Sequence, residues 1–576
     1  MADPVLTLSR AFAAAITAAF GAEHAATDPA IRRSTHADYQ ANAAMALAKR
    51  VGKPPRVVAA AILEHLRLDD VCEKIEIAGP GFFNLHLKAE YLERELGETV
   101  ASPALGLAPS AAPETIVIDY SAPNVAKEMH VGNLRSTIIG DVLARVLTAQ
   151  GHTVIRQNHL GDWGTPFGML LEHLVDLKEA ASELSVRDLG GFYKEARAKF
   201  DADPAFADRA RRRVVLLQAG DAPTLALWQA LVGESKRYLN TVYERLGITL
   251  TDADIAGESL YNPMLAEVVS ELEAKGLARE SQGAMCVFPP GFTGREGEPL
   301  PLIIRKQDGG YGYPITDLAA VRYRVQRLHA TRLIYVIGAP QSQHLAMVYA
   351  TATLAGWLAP PARAEHVAFG SILGADKKMF KTRSGETIKL LELIDEAVDR
   401  ASKVVTEKTD LDADQRAEVA RAVGIGAIKY ADLCNDRIKD YVFDWDRMLA
   451  FEGNTAPYLM YAHARIRSIF ARIARDGLTA APGAFALRDP AERALSLEIL
   501  RFGSVVAEVE RTLEPHRLCG YLFELASAYT SFYERCPVLK AATDEERASR
   551  LSLCDLTAKV LARGLDLLGI EAPPRM

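Results

Sequence analysis

Hydrophobic and polar positions change period along this chain. Near the N-terminus Leu8, Phe12, Ile16 and Phe20 recur every four residues, the spacing of an amphipathic helix laying one face on a domain. The apolar run 11–22 behind Arg10 also has the outline of a signal-peptide core, but its one-sided spacing favours the helix. Alternation of Lys and Glu with Ile predicts a strand at 74–77, and a Gly79-Pro-Gly turn leads into a second β-like stretch ending at Leu87. The Ala/Pro/Ser-rich stretch 101–113 has little to bury and marks a domain boundary. From about 114 to 393 short β-branched runs alternate with helical spacing, the pattern of an α/β domain with a parallel sheet. A helix-rich insertion, 172–240, full of Lys, Arg and Glu, divides that domain. Beyond about 394 the strand signals fade. Helical spacing over 414–429, 457–476, 490–510, 518–535 and 544–568 predicts a bundle. The expected organisation is an N-terminal α+β domain (1–110), a Rossmann-like α/β domain (114–395) and an all-α C-terminal domain (396–576).

The start of the α/β domain carries the most chemistry. Thr115 to Ile118 suits a buried parallel strand, Pro123 and Asn124 break it, and Leu134, Ile138, Val142 and Val146 then follow a helical face up to Gly151, placed for a left-handed cap. A second β-rich segment, 153–156, completes a βαβ unit. Ligands sit at the carboxyl ends of such strands and at the helix N-terminus, where His130 and Gly132 fall. Gly132 lets a flat base approach the backbone, and His130 offers a ring nitrogen to a phosphate.

Composition narrows the classes further. A chain of 576 residues exceeds one compact core, and 67 Lys+Arg against 74 Asp+Glu give a net charge of −7, so nucleic acid would have to bind through local basic faces. Six cysteines stand far apart without a Cys-x-x-Cys pair, which predicts reduced thiols in a cytoplasmic protein and no structural zinc. No run reaches the roughly 18 apolar residues of a membrane span.

Three further strings supply candidate groups. Asn158-His-Leu-Gly-Asp-Trp-Gly-Thr-Pro-Phe-Gly168 follows the second strand and brings Asp162 and Trp163 towards the first site. The segments 256–264 and 308–320 hold acids and phenols suited to a cationic side chain; a guanidinium is a planar fork of five donors that an acid and a Tyr can satisfy while serving Lys poorly. Tyr313 and Asp317 share a face if their segment is helical. Lys377-Lys-Met-Phe-Lys-Thr-Arg-Ser-Gly385 is a basic loop, either a solvated charged face or a source of positive charge for an anionic ligand.

Together these strings resemble one family. Ser121-Ala-Pro-Asn-Val-Ala-Lys-Glu-Met-His-Val-Gly-Asn-Leu-Arg-Ser-Thr-Ile-Ile-Gly-Asp141 is similar to the signature of arginyl-tRNA synthetases, the class I family that embeds the HIGH motif there. Lys378-Met-Phe-Lys-Thr382 resembles the class I KMSKS loop. Two departures stand out: Asn133 replaces the second His of HIGH, and Pro166 replaces a Gln of the Asp-Trp-Gly string. Asn keeps hydrogen-bonding capacity but holds no positive charge.

The resemblance implies ligation of L-arginine to tRNA-Arg through an arginyl-adenylate, with ATP and its Mg²⁺. It implies His130, Asn133, Lys378 and Lys381 as catalytic residues, with Gly132 and Phe369 joining them around ATP. It assigns Glu258, Tyr313 and Asp317 to the guanidinium, and Asn124 and Gln341 to the α-amino end of arginine. Aromatic, Arg and amide residues over 441–467 look like the family's helical anticodon-binding domain, and 36–45 like its appended N-terminal domain. The resemblance further implies Tyr39, Gln40, Asn42, Arg437, Tyr458 and Arg465 as candidate tRNA contacts. A monomer without a membrane partner is expected. The competing class is a synthetase-derived protein that binds tRNA or an amino acid without charging; Asn133 and Pro166 support it, and Lys381, which a pure binder does not need, opposes it.

Overall fold

The computed structural model describes residues 3–180, 189–294, 296–380, 388–408, 411–477 and 480–576. Its centre is a four-stranded parallel sheet: β1 (Thr115–Asp119), β2 (Thr153–Gln157), β3 (Arg332–Tyr335) and β4 (Arg363–His366), in the order β4-β3-β1-β2. Helix α1 (Val131–Ala149) crosses between β1 and β2 and buries Leu134, Ile138, Val142 and Val146 completely, each burial contributing about 1.5–3 kcal/mol. Gly151 takes the left-handed conformation, φ +84°, just past the helix end. Gly140 lets α1 close onto β1, since a Cβ there would meet the Tyr120 side chain at 2.3 Å. The chain leaves β1 in one lateral direction for β2 and later returns on its other side as β3. The switch point between β1 and β3 opens a crevice at the strands' carboxyl ends, the position at which such sheets bind ligands.

The insertion is a set of helices, Thr165–Ala180, Leu189–Ala202, Pro204–Gln218 and α2 (Ala222–Leu246), wider at both ends than the polar stretch that announced it. Pro166 lies in the first turn of the first of these, where a missing N–H costs nothing. Helix α3 (Tyr313–Gln326) precedes β3, and α4 (Ser342–Leu354) follows it. Between the insertion and α3 lies a three-stranded antiparallel sheet, Ala278–Ser281, Ala284–Val287 and Leu302–Arg305, which the hydrophobic pattern did not announce.

Helices continue to the C-terminus, beginning with Leu390–Lys408 and α5 (Ala413–Leu433). The expected helix 490–510 is two, Pro490–Leu500 and Phe502–Thr512, turning at Arg501. Leu500 and Phe502 on either side of the turn are both buried, so the bend lets both helices face the core. The 101–113 stretch is anchored at one point: Leu107 is buried, and the backbone at Gly106 lies where a Cβ on Gly503 would be, at 2.4 Å.

The N-terminal helix Pro4–Phe20 buries Leu8, Phe12 and Ile16 against a four-stranded antiparallel sheet that includes Tyr39–Ala41, Cys72–Ala78 and Phe82–Leu87. This domain lies on the helical one. Arg493 clasps Asp38 through two bonds, 2.9 Å at Nε and 2.6 Å at Nη2, and also donates to the Leu87 carbonyl. The Glu93 carboxylate accepts the Leu487 amide at 2.8 Å. The six cysteines are all free, and no helix among the described residues is long and apolar enough to cross a membrane.

Candidate active site

His130 is the N-cap of α1, in extended backbone, and its Nδ1 accepts the Gly132 amide at 3.0 Å. Asn133 answers it, Oδ1 accepting the His130 amide at 3.0 Å, so the two close a reciprocal capping box. With Nδ1 an acceptor, the neutral ring keeps its proton on Nε2, a donor at an exposed position. Partial desolvation, reinforced by Lys127, lowers the His130 pKa and favours that neutral form. Asn133 therefore does for the helix start what a capping side chain must, and its amide nitrogen stays available to a ligand.

The chain that follows the basic loop is tied to this helix start. Ile372–Leu373 pairs in parallel with Tyr441–Val442, Leu373 bridges Met379, and Phe380 stacks on Phe443 at 4.5 Å. Lys378 is exposed at the turn, its amide donating to Asp376 at 3.1 Å. Lys381 belongs to residues 381–387, outside the described residues. Immediately after them the chain runs beside the His130 motif: the Val131 amide donates to the Ile388 carbonyl at 3.0 Å, and the Leu390 amide to that of Met129 at 2.9 Å. Phe369 follows β4, is buried, and accepts the Ala339 amide at 3.0 Å, which sets it against the start of the Ala339–Gln341 turn before α4.

Behind Phe369 a buried ion pair joins this domain to the helical one. Arg135, one turn into α1, lies 3.0 Å from Asp432 on α5, donates to the Lys439 carbonyl at 3.1 Å, and faces the rings of Tyr441 and Phe369 at 5.4 and 5.8 Å.

A second group of side chains gathers beside the crevice. Asp162 is buried and accepts from the Ser259 amide and hydroxyl at 2.9 and 2.6 Å, which docks the short helix Glu258–Tyr261 onto the Asp-Trp-Gly loop. Burial, with the carboxylates of Asp162 and Asp317, pushes Glu258 up to about 7. Tyr313 opens α3 and Asp317 follows one turn later, so the expected shared face exists. Asp317 Oδ2 lies 2.6 Å from His344 Nε2, and the His344 ring meets that of Tyr313 edge-on at 4.7 Å. Asn124, exposed, pairs with Gly161 in a parallel bridge, and a Cβ on Gly161 would strike its Oδ1 at 2.4 Å. Gln341 is exposed at the N-terminus of α4. Beneath, Arg324 of α3 is fully buried and holds Asp119 at 2.7 Å and Gln157 at 2.6 Å, fixing the ends of β1 and β2.

The carboxylates of Asp162 and Asp317 both bear on Glu258 and, with burial, raise its pKa, a grouping of the kind that can receive a cation. His130 at the start of α1 is a group of the kind that serves a phosphate. A family model described as the catalytic domain of class I tRNA synthetases (R) matches residues 101–445. The chain belongs to the arginyl-tRNA synthetases. The family's N-terminal domain matches residues 6–87, and the DALR anticodon binding domain matches 459–576. The arginine–tRNA ligase of Thermobifida fusca is 57% identical over 579 residues, covering 100% of both chains. That of Escherichia coli O157:H7 is 50% identical over 556 residues, covering 95% of this chain and 96% of its own. Among solved structures, the arginyl-tRNA synthetases of Plasmodium falciparum (TM-score 0.83, 27% identity, 99% of both chains) and Thermus thermophilus (TM-score 0.83, 26% identity, 100% of both chains) share the fold throughout.

The candidate RNA contacts separate in this synthetase. Tyr39 is 1% exposed, with its ring in the N-terminal core beneath the Arg33 guanidinium at 5.4 Å; it is a core residue and offers no face to RNA. Arg437 is also corrected: its guanidinium is committed to the carbonyls of Leu513 and Ala368 at 3.0 and 2.8 Å, so it clamps the helical domain to the catalytic one. Gln40 is half-buried and bonds Asn84 at 2.8 Å, and Asn42 is the half-buried N-cap of helix Ala43–Val51. Tyr458 is half-buried against Phe523, and Arg465 lies over the Tyr533 ring at 4.4 Å. Tyr461, which sequence reasoning did not single out, is 44% exposed. It also passed over His344, although the strand-turn-helix signal of 332–354 repeats that of the first βα unit and places His344 in the first turn after Gln341.

A cavity of about 730 Å³ lies elsewhere, lined among others by Arg145, Gly247, Gln415, Arg421, Ile570 and Pro573. It contains none of the site residues, and Arg421 and Arg145 are committed to Glu571 and Asp141.

Proposed function

We propose that this synthetase ligates L-arginine to tRNA-Arg in two steps through the crevice between β1 and β3. In the first, the arginine carboxylate attacks the α-phosphorus of ATP in line, the bond to the bridging oxygen breaks, and pyrophosphate leaves. In the second, the 2′-hydroxyl of the terminal tRNA ribose attacks the adenylate carbonyl and AMP departs. ATP enters as its Mg²⁺ complex, which neutralises part of the phosphate charge. The protein's share is positioning and charge stabilisation. The neutral His130 and the amide of Asn133 donate to the nucleotide's oxygens, Gly132 and Phe369 accommodate the base, and Lys378 and Lys381 meet the charge that develops on the leaving group.

The observation that carries the substrate assignment is the Asp162, Glu258 and Asp317 cluster, with Glu258 at about 7. Asp317, Tyr313 and Glu258 take the guanidinium fork; Asn124 and Gln341 hold the α-amino end. Lysine, a point cation, leaves those groups unpaired, which supports discrimination on the order of 10⁴-fold. Residues 1–110 serve as an appended tRNA-contacting domain, 114–395 as the catalytic domain with its insertion, and 396–576 as the anticodon-binding domain. Gln40, Asn42, Tyr458 and Arg465 remain the RNA contacts of this reading, joined by Tyr461. The enzyme acts in the cytoplasm as a monomer. The non-charging alternative is not favoured: relatives along the full chain are ligases, and Asn133 keeps the capping geometry at His130.

Charging of tRNA-Arg with labelled arginine, ATP and Mg²⁺ tests the proposal. The parent protein is expected to charge, and Lys381→Ala to lose most of the rate. A parent that does not charge but gains activity through Asn133→His would overturn it.

A further inference from the structure

We propose that His344 is the positioning residue for guanidinium recognition, setting the Asp317 carboxylate and the Tyr313 ring in the orientation that a planar fork requires. The inference rests on the assignment of Asp317 to the guanidinium. Its own ground is the meeting of two helix starts. Tyr313 and Asp317 occupy the first turns of α3, while His344 stands in the first turn of α4, and the two turns converge on the same space.

A carboxylate rotates about its last bond, and a bidentate partner accepts only a narrow range of that rotation, on the order of 10–20°. The 2.6 Å bond from Nε2 to Oδ2 takes one acceptor direction of Asp317 and fixes the plane of the group. Oδ1 and the second lone pair of Oδ2 are left for the substrate. Tyr313 is 61% exposed, and the edge-on contact with the imidazole at 4.7 Å holds its ring. One side chain thus orients two of the three groups that read the substrate's distal end. Gln341 is the N-cap of the same helix α4.

Steady-state aminoacylation by the full chain tests this with three substitutions. His344→Gln carries an amide nitrogen where Nε2 was and keeps the bond. His344→Asn is polar but too short to reach Oδ2, and His344→Leu has no donor. The Asn and Leu variants are expected to raise KM for arginine roughly 10–100-fold, the range for losing a hydrogen bond to a charged group. Their KM for ATP and their kcat should stay within about threefold of the parent, and the Gln variant should return KM for arginine to within about threefold. Equal rises in both KM values, or failure of Gln to rescue, would reduce His344 to a packing residue and overturn the proposal. If the Leu variant does not fold, the comparison of Asn with Gln decides. Asp317→Asn runs in parallel. If it raises KM for arginine while His344→Asn does not, only the His344 role fails. If Asp317→Asn leaves KM for arginine unchanged, the guanidinium assignment itself fails.

Discussion

Glu258 is poised between two protonation states because burial and the charges of Asp162 and Asp317 all oppose its ionisation. A cation bound there, as proposed for arginine, reverses that balance and is expected to release the proton that Glu258 holds. Below pH about 7 arginine affinity is expected to fall as protons compete, and KM for arginine in Glu258→Gln should be higher but nearly flat over pH 6–8. The same shift bears on stability with the opposite sign. A carboxyl whose pKa rises from 4.5 to about 7 on folding stabilises the folded state at low pH and loses that contribution as pH climbs between those values. Above pH 8 Glu258→Gln should therefore melt higher than the parent without arginine, by an amount on the order of 1–3 kcal/mol at most. Thermal unfolding at pH 5 and pH 8.5 decides it: an advantage confined to pH 5 would contradict the argument.

Elements that declare a period were legible, and what they meet was not. The run from Thr115 to Gly151 spells out strand, break, helix and cap because each residue type answers a local demand, and β1 and α1 form there. The hairpin at 278–287 escaped because its strands are short and its only marker is the Gln282-Gly283 turn, where both residues have positive φ (50° and 78°). Helical spacing over 490–510 showed which face is apolar but not the bend at Arg501, which turns both Leu500 and Phe502 into the core. The acids proposed to face the substrate stand in strings of recognisable neighbours, whereas the burial of Tyr39 and the carbonyl contacts of Arg437 depend on tertiary contacts that spacing does not encode. Arg135 and Asp432 are of that kind, and they weld α1 to α5. Removing either partner leaves a buried charge, so Asp432→Leu or Arg135→Met alone should cost about 3–5 kcal/mol. The double variant should recover most of that loss in denaturant unfolding, since two apolar side chains can fill the space. Additive losses would mean that the two residues act independently.

At the scale of the whole molecule, the two terminal domains hold one another. Burial alone would raise the Asp38 carboxyl, but the Arg493 guanidinium and the Leu87 amide more than offset it and keep the pKa below its ordinary 3.8. A depressed carboxylate contributes stability above its unfolded pKa and loses it as pH falls through the folded value. The contact is therefore expected to persist at neutral pH and to weaken below about pH 4, before which Arg493→Ala should already expose it. Limited proteolysis at pH 7.5 offers the check: Arg493→Ala should be cut within 101–113 faster than the parent, and equal rates would show that the clasp does not govern access to that stretch.

The same clasp has a consequence for how the protein is made. Asp38 and Arg493 lie 455 residues apart, and synthesis proceeds at roughly 5–20 residues per second, so about 20–90 s separate the appearance of one from the arrival of the other. Through that interval the first domain waits on the ribosome with the surface meant for its partner uncovered. Its own sheet and helices are already made by then, but its last neighbour is among the last parts of the enzyme to be born.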